Sequence, residues 1–514
     1  MNDRFDYVIV GAGSAGAALA NKLSAEASTS VLVLEAGGEA KSPKIAIPAA
    51  FSELFKSVYD WNYETTSQAA LDGRRIYWPR GKVLGGSSAL NAMMWVPGFA
   101  ADYDRWAELA GPEWGHAALA ATFASTQISV QEQRDPRALT AAFLDAVRQA
   151  GYRVEIANGH EPDGFTQTMV TQAEGTRHSS ARAYLKPIRR SRPNLTIRTK
   201  AHVTRVVFDG RSATGVEYRL ENGERHTAHA SREVILCGGA VNTPQLLMLS
   251  GIGRAGQLHH CGIPVVADSP DVGANLRDHL VSLFAIHVDG GSLMDAKGIG
   301  QLAQFLFKRR GMLTSNVAEA YGFVRTDPSL ALPDVEVIFA PVAYVEEGLN
   351  GIPAHGISAG PILLQPASRG EVRLASSDPF TKPIVEPNYL TDPDGRDRAT
   401  LLAGLEIVLK IFSTPAIKKV ASGTYVAPAG GEKMSREELL ITALEQLSHT
   451  LYHPTSTARM GIDDGSVVDP QLRVRGVERL RVADASIMPE IIRGHTHAPS
   501  VVIGERAAHL ISNK

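Results

Sequence analysis

Three glycines near the head of the chain offer the first recognisable chemistry. Gly11, Gly13 and Gly16 stand in Gly11-Ala12-Gly13-Ser14-Ala15-Gly16, directly after Asp6-Tyr7-Val8-Ile9-Val10 and before an Ala/Leu-rich stretch through Leu23. That order predicts a buried parallel strand, a tight turn and a helix. The first glycine permits the turn, the second lets backbone approach a pyrophosphate, and the third lets helix and strand pack closely. The helix start at Ser14 and Ala15 would meet phosphates with amide donors and a positive dipole end. A second strand, Val31-Leu32-Val33-Leu34, ends in Glu35 and Ala36; Glu35 lies 19 residues beyond Gly16. A carboxylate there would accept from ribose hydroxyls and disfavours a 2′-phosphate, so NADP is the least expected nucleotide. These residues alone leave NAD and FAD both open.

The elements that position such a site need a long chain. At 514 residues, two domains are expected. The chain is 44% hydrophobic and 21% charged with 47 Gly, as in a globular protein, and its formal net charge is −2. That balance gives no electrostatic reason to expect nucleic acid, an anionic membrane or a polyanionic substrate. Two cysteines, Cys237 and Cys261, make neither a disulfide framework nor a zinc site, and no metal centre is expected. Cys237 closes an apolar run and reads as a buried thiol. With the first strand starting by Asp6 or Tyr7, no signal peptide is expected, and no apolar run reaches the ~18–20 residues of a membrane span. A cytoplasmic protein is the default expectation. Nothing in the sequence fixes an oligomeric state.

Farther along, several separate stretches resemble the glucose–methanol–choline (GMC) oxidoreductase family. One is Gly81-Lys82-Val83-Leu84-Gly85-Gly86-Ser87-Ser88-Ala89-Leu90-Asn91, continuing through Trp95 and Gly98 to Asp104. Another is Gly239-Ala240-Val241-Asn242-Thr243-Pro244-Gln245-Leu246-Leu247, ending Ser250-Gly251-Ile252-Gly253. The C-terminal stretches are His453-Pro454-Thr455-Ser456-Thr457-Ala458-Arg459-Met460-Gly461, Val468-Asp469-Pro470 and Arg481-Val482-Ala483-Asp484-Ala485-Ser486. They span nearly the whole chain in the family's order, and the resemblance selects FAD over NAD.

By that resemblance Gly81, Val83, Gly86, Ser87, Asn91 and Ala92 lie along the flavin, with Asn91 near its reactive edge. Val203 contacts the adenine through its backbone, and Asp484 and Ala485 serve the pyrophosphate and flavin side. Some members attach FAD covalently through a histidine just before the asparagine. Leu90 stands there, so non-covalent FAD is expected.

The implied reaction is FAD-dependent oxidation of an alcohol, and it needs a base for the hydroxyl proton. Histidine suits, with an unperturbed pKa near ~6.5. Of 16 histidines, the resemblance singles out His453 as the base and His497 as its partner at the substrate oxygen. His495 stands two residues away and is expected to face elsewhere or to be structural. Amides near Thr496 and His497 are expected to stabilise the reduced cofactor, because a helix from about Pro499 to Ile511 begins there.

The expected fold is α/β (α+β overall): a Rossmann-type FAD-binding domain and a substrate domain with a mainly antiparallel sheet and flanking helices. The FAD-binding domain is expected to be discontinuous, from 1–156, 195–284 and 449–514, with 157–194 and 285–448 forming the substrate domain. Predicted elements include strands over His202–Phe208, Gly215–Tyr218, Val335–Phe339 and Gly370–Leu374, and helices over Gln301–Phe307 and Arg396–Phe412. The substrate is expected to be a small primary alcohol, aromatic and heteroaromatic ones among the options, with O₂ or another acceptor reoxidising the flavin. A choline-like or polyol dehydrogenase using a quinone or protein acceptor is the alternative, and a hydroxynitrile lyase on the same scaffold a more distant one. A choline site would draw on residues such as Tyr59, Trp61, Trp95, Phe339, Tyr344 and Glu346.

Overall fold

The computed structural model describes residues 4–156, 158, 163–349 and 354–512. The expected domain start at 157 and the chain ends at 1 and 514 lie outside the described residues.

Two sheets organise the chain. The first has seven strands, in the order Leu195–Arg198, Val31–Leu34, Arg4–Val10 and Arg225–Leu236, all parallel. The long Arg225–Leu236 strand then serves two neighbours. Its C-terminal end pairs in parallel with Leu480–Val482, and its N-terminal part runs antiparallel to Ser212–Leu220, which pairs with Ala201–Asp209. Val8, Ile9, Val31 to Val33 and Val234 to Leu236 have no exposed surface, as continuous β-branched and leucine runs in a doubly covered parallel sheet should. Helix Ser14–Leu23 follows the first strand and packs against the C-terminal helix His497–Ser512. That last helix begins two residues earlier than predicted, so His497 opens it.

The second sheet is antiparallel, in the order Ala421–Ala427, Phe284–Val288, Gly356–Leu363, Val335–Ala340, Ala320–Val324 and Gly164–Gln167. Helix Arg396–Phe412 packs on it, with the bounds its apolar spacing predicts. Helix Ala138–Gln149 packs here too, although the sequence reading grouped it with the nucleotide-binding segment. The reason is its buried stripe Leu139, Phe143, Ala146 and Val147; the Phe143 ring stacks on Phe339 at 4.2 Å. The short strands Leu280–Val281 and His449–Thr450 also join this sheet, across the boundaries drawn at 284 and 449. The predicted Gly370–Leu374 strand contracts to Glu371–Arg373, paired with Ile384–Glu386 in a small hairpin.

Candidate active site

One cavity of about 310 Å³ runs between the two sheets, from the glycine turn to the C-terminal histidines. Gly11, Gly13, Ser14, Ala15, Glu35, Ala36 and Val203 wall one end. The Ser14–Leu23 helix has no side-chain cap and no acidic residue in its first turn, so its first amides are left for an anion. Gly86, at φ +53°, crosses Gly13 so closely that a Cβ would lie 2.8 Å from the Gly13 Cα. Gly16 does not reach the cavity: a Cβ there would meet the Gly11 carbonyl oxygen at 2.1 Å, so its role is strand–helix packing alone.

Glu35 accepts from the Ala12 amide at 2.9 Å and the Gly37 amide at 2.8 Å. Burial pushes its carboxyl up to about 7 against these two hydrogen bonds. The folded chain therefore holds this proton more tightly than the unfolded chain, whose carboxyl titrates near 4.5. Stability from Glu35 is then expected to fall as pH rises from about 4.5 to about 7, by roughly 3 kcal/mol, and to level off above. Denaturant unfolding of the cofactor-stripped protein across that window, beside Glu35→Gln, checks this: the variant should lack the decline, and parallel curves would refute it.

Gly81, Gly86, Ser87, Leu90, Asn91 and Ala92 line the middle of the cavity, but Val83 does not. Its side chain is fully buried in a small core with Ile45, Leu54, Ala89 and Leu90. Asp484 and Ala485 line the cavity too. The Asp484 carboxylate is already committed, accepting from Gly239 N, Thr243 Oγ1, Ser486 N and Ser486 Oγ at 2.6–2.8 Å. It braces helix Gly239–Leu249 against the Leu480–Val482 strand end.

Behind Asn91 lies a residue the sequence reading missed. Arg177 is 2% exposed, donates to the carbonyls of Ile45 and Asn91 and to Asn91 Oδ1, and leaves one guanidinium nitrogen without a partner. Among the described residues no carboxylate pairs with it, and burial lowers its pKa to about 9. His497 Nε2 lies 3.3 Å from Ser180 Oγ, its Nδ1 has no partner, and its ring packs edge-on to Trp95. Burial, then Arg177, brings its pKa down to about 4.

The Leu280–Val281 and His449–Thr450 pairing brings His279 and His453 side by side. His453 Nδ1 lies 2.9 Å from His279 Nδ1, and His279 Nε2 lies 3.1 Å from the Leu364 carbonyl oxygen. A carbonyl only accepts, so His279 carries its proton on Nε2 and offers a lone pair at Nδ1. His453 then donates from Nδ1 and keeps Nε2 unprotonated. Burial pulls His279 down to about 3, and burial with the neighbouring His495, His279 and Arg80 holds His453 well below its ordinary value. Both stay neutral. Asp278, pushed up to about 6 by burial, accepts from the His453 backbone amide and from Thr450 Oγ1 and so fixes the turn. The run Arg277-Asp278-His279 between apolar residues was the available signal.

Of the two expectations for His495, that it faces elsewhere does not hold, since it lines the cavity as well, whereas a structural role fits its partner. Its ring centroid is 4.8 Å from that of His453, and its Nε2 lies 3.0 and 3.2 Å from the carboxylate oxygens of Glu336, which has no exposed surface. Glu336 stands as the one polar residue in Val335-Glu336-Val337-Ile338-Phe339, a pattern that marks an inward carboxylate needing a partner. Beyond the histidines the walls are Phe51, Phe55, Tyr344 and Tyr452, packed at ring centroid distances of 5.7–6.5 Å. Of the aromatic and acidic residues weighed for a choline site, Trp61 and Tyr344 line the cavity, whereas Tyr59, Trp95, Phe339 and Glu346 do not.

A glycine cradle of this kind opening onto neutral buried histidines defines a nucleotide-cofactor oxidoreductase. The sequence matches the GMC oxidoreductase family over residues 5–281 and again over residues 366–504, and the chain belongs to that family of FAD-dependent enzymes acting on alcohol-type donors. It is 51% identical to an uncharacterized GMC-type oxidoreductase of Mycobacterium tuberculosis over 99% of this chain and 100% of the other. It is 39% identical to an alcohol dehydrogenase [acceptor] of Pseudomonas putida over 99% of this chain and 96% of that one. Among solved structures, pyridoxine 4-oxidase from Mesorbium loti superposes with a TM-score of 0.89 at 30% identity, over 99% of each chain.

Proposed function

We propose that the protein oxidises a small, neutral, aromatic or heteroaromatic primary alcohol to the aldehyde. The carrying observation is the His279–His453 contact, because it leaves His453 Nε2 as an unprotonated base on the cavity wall. The glycine cradle, the uncapped helix start and Glu35 fit the phosphates and ribose of FAD, with Asn91, Ala92, Ala485 and Thr496 walling the flavin end. When bound there, non-covalently because Leu90 offers no attachment atom, FAD supplies the acceptor for the two electrons and hydrogen leaving the carbinol carbon as hydride. His453 Nε2 takes the hydroxyl proton as the C–O bond becomes a carbonyl. His497 orients the alcohol oxygen from the first turn of the C-terminal helix. The buried Arg177 places positive charge behind Asn91, and the amides at Thr496 and His497 add a helix dipole.

The ring walls of Phe51, Phe55, Tyr344 and Tyr452 support an aromatic substrate, since stacked and edge-on rings accept another ring at little cost. A quaternary ammonium would meet these faces too. However, the carboxylates on the cavity wall are Glu35, at the glycine end, and Asp484, already braced. No carboxylate lines the aromatic end among the described residues, and this favours a neutral alcohol over choline. The grouping of the chain into a discontinuous cofactor-binding domain and an antiparallel substrate domain is part of the same reading.

Anaerobic mixing of the yellow protein with a panel of benzylic, pyridyl, aliphatic and choline-type alcohols tests it. Bleaching fastest with a ring-bearing primary alcohol is expected, and readmitted air then separates O₂ from another acceptor by the speed of recovery. Faster bleaching by choline would move the assignment to the choline-like alternative. No bleaching by any alcohol would leave the lyase.

A further inference from the structure

Helix Ile299–Lys308 wears its apolar stripe on the outside. Ile299, Leu302, Ala303, Leu306 and Phe307 recur at i, i+3, i+4, i+7 and i+8, the spacing of a core-facing helix. All five are exposed, Ile299 by 89% and Phe307 by 87%. The inward side holds Phe305 and Gln301, whose Oε1 accepts from the Met312 amide. Among the described residues nothing covers the stripe.

Charge indicates what does. The helix contains no acidic residue; Lys297 precedes it, Lys308 closes it and Arg309 and Arg310 follow, with Asp295 the one carboxylate on its N-terminal flank, so the cations are in excess. Arg310 is held by Asp135, but among the described residues no carboxylate pairs with Lys297, Lys308 or Arg309. A short helix with a large exposed apolar face between cations has the pattern of one lying in the plane of an anionic bilayer surface. Self-association through the same stripe would set these cations against their own copies, which like-charge repulsion opposes. The formal net charge of −2 sums 52 cations and 54 anions and hides this local excess.

We infer that this helix docks the protein on an anionic lipid surface, with the apolar stripe in the headgroup boundary and the flanking cations on lipid phosphates. The docked edge adjoins the substrate end of the cavity: the helix packs on the Met312–Thr314 turn, which packs on Pro48–Leu54, where Phe51 forms the cavity wall. The inference does not depend on the reaction assigned above, because binding is read without turnover.

Flotation of the FAD-loaded full chain with vesicles tests it. Vesicles of phosphatidylcholine containing about a quarter phosphatidylglycerol should carry the protein at least about tenfold better than phosphatidylcholine alone, and added salt should weaken the binding. Leu306→Gln with Phe307→Gln should lose about tenfold or more while keeping the yellow absorbance that reports a folded protein. A second probe, Phe307→Trp, should show blue-shifted emission on the anionic vesicles only. Absence of binding to anionic vesicles, or equal binding by wild type and the double variant, would overturn the inference. So would a wild-type dimer in solution that the double variant breaks, since that result assigns the stripe to a second copy.

Discussion

Replacing His453 with alanine is expected to slow alcohol-driven bleaching of the bound flavin by about 10²–10⁴-fold while the protein stays yellow. The loss follows from removing a cavity-wall base whose free lone pair the His279 contact dictates. The His279 contact makes a sharper companion test. His279→Leu removes the acceptor of the His453 Nδ1 proton, so the His453 ring is free to carry its proton on Nε2, the wrong nitrogen for a base. An intermediate loss of about tenfold is expected, expressed in the rate of bleaching rather than in alcohol affinity, because His279 acts through His453. The pH profile carries a third sign. Because His453 is held well below its ordinary value, the acid limb of the bleaching rate should lie below pH ~6.5 in the wild type and move in His279→Leu. If His453→Ala bleaches at the wild-type rate, the base is another group.

The second large effect concerns stability. Glu336→Leu is expected to lower the unfolding free energy by about 3–5 kcal/mol, measured by denaturant titration. Glu336 has no exposed surface and His495 only 6%, so removing the carboxylate leaves a buried imidazole facing an apolar wall. Glu336→Gln keeps a hydrogen-bond acceptor and should cost less. The double change Glu336→Leu with His495→Leu replaces the pair by apolar volume and should recover much of the loss, because a buried polar pair contributes little net stability over a packed apolar one. A single Glu336→Leu that unfolds like the wild type would mean that the pair is solvated when the protein is in water. Full recovery of stability in the double variant with slower bleaching would separate a catalytic use of His495 from its structural one.

Much of this arrangement was legible beforehand, for reasons that differ element by element. The first strand, glycine turn and helix are local: five apolar residues, three glycines and the small residues after them permit little else. Helix Arg396–Phe412 was readable with its bounds, and the strand expected over Val335–Phe339 runs one residue farther, to Ala340. The histidines at 453 and 497 were singled out by motif likeness, and both line the cavity. What escaped was what depends on contacts between distant segments. His279 lies 174 positions from His453 and Glu336 lies 159 from His495, and no periodicity links either pair. Arg177 resembles any other arginine until the surrounding carbonyls of Ile45 and Asn91 are in place. Helix Ala138–Gln149 was grouped with its sequence neighbours, but its stripe fits Phe339. Val83 and Gly16 belong to the right motifs yet face packing rather than the cavity.

The first sheet also sets an order of events during synthesis. Its opening strand emerges well before the Leu480–Val482 strand that completes the parallel set and the helix His497–Ser512 that packs on the first helix. The glycine turn therefore gains its second wall only after residues 480–485 have been made, and His453 and His497 lie close to them in the chain. Until then, Val8, Ile9 and the Val31–Leu34 strand expose apolar edges that the finished protein hides, a state prone to aggregation in long parallel-sheet chains. A nascent chain arrested before residue 480 is consequently the form most in need of a chaperone. Truncation from the C-terminus should abolish cofactor binding before it abolishes the antiparallel sheet.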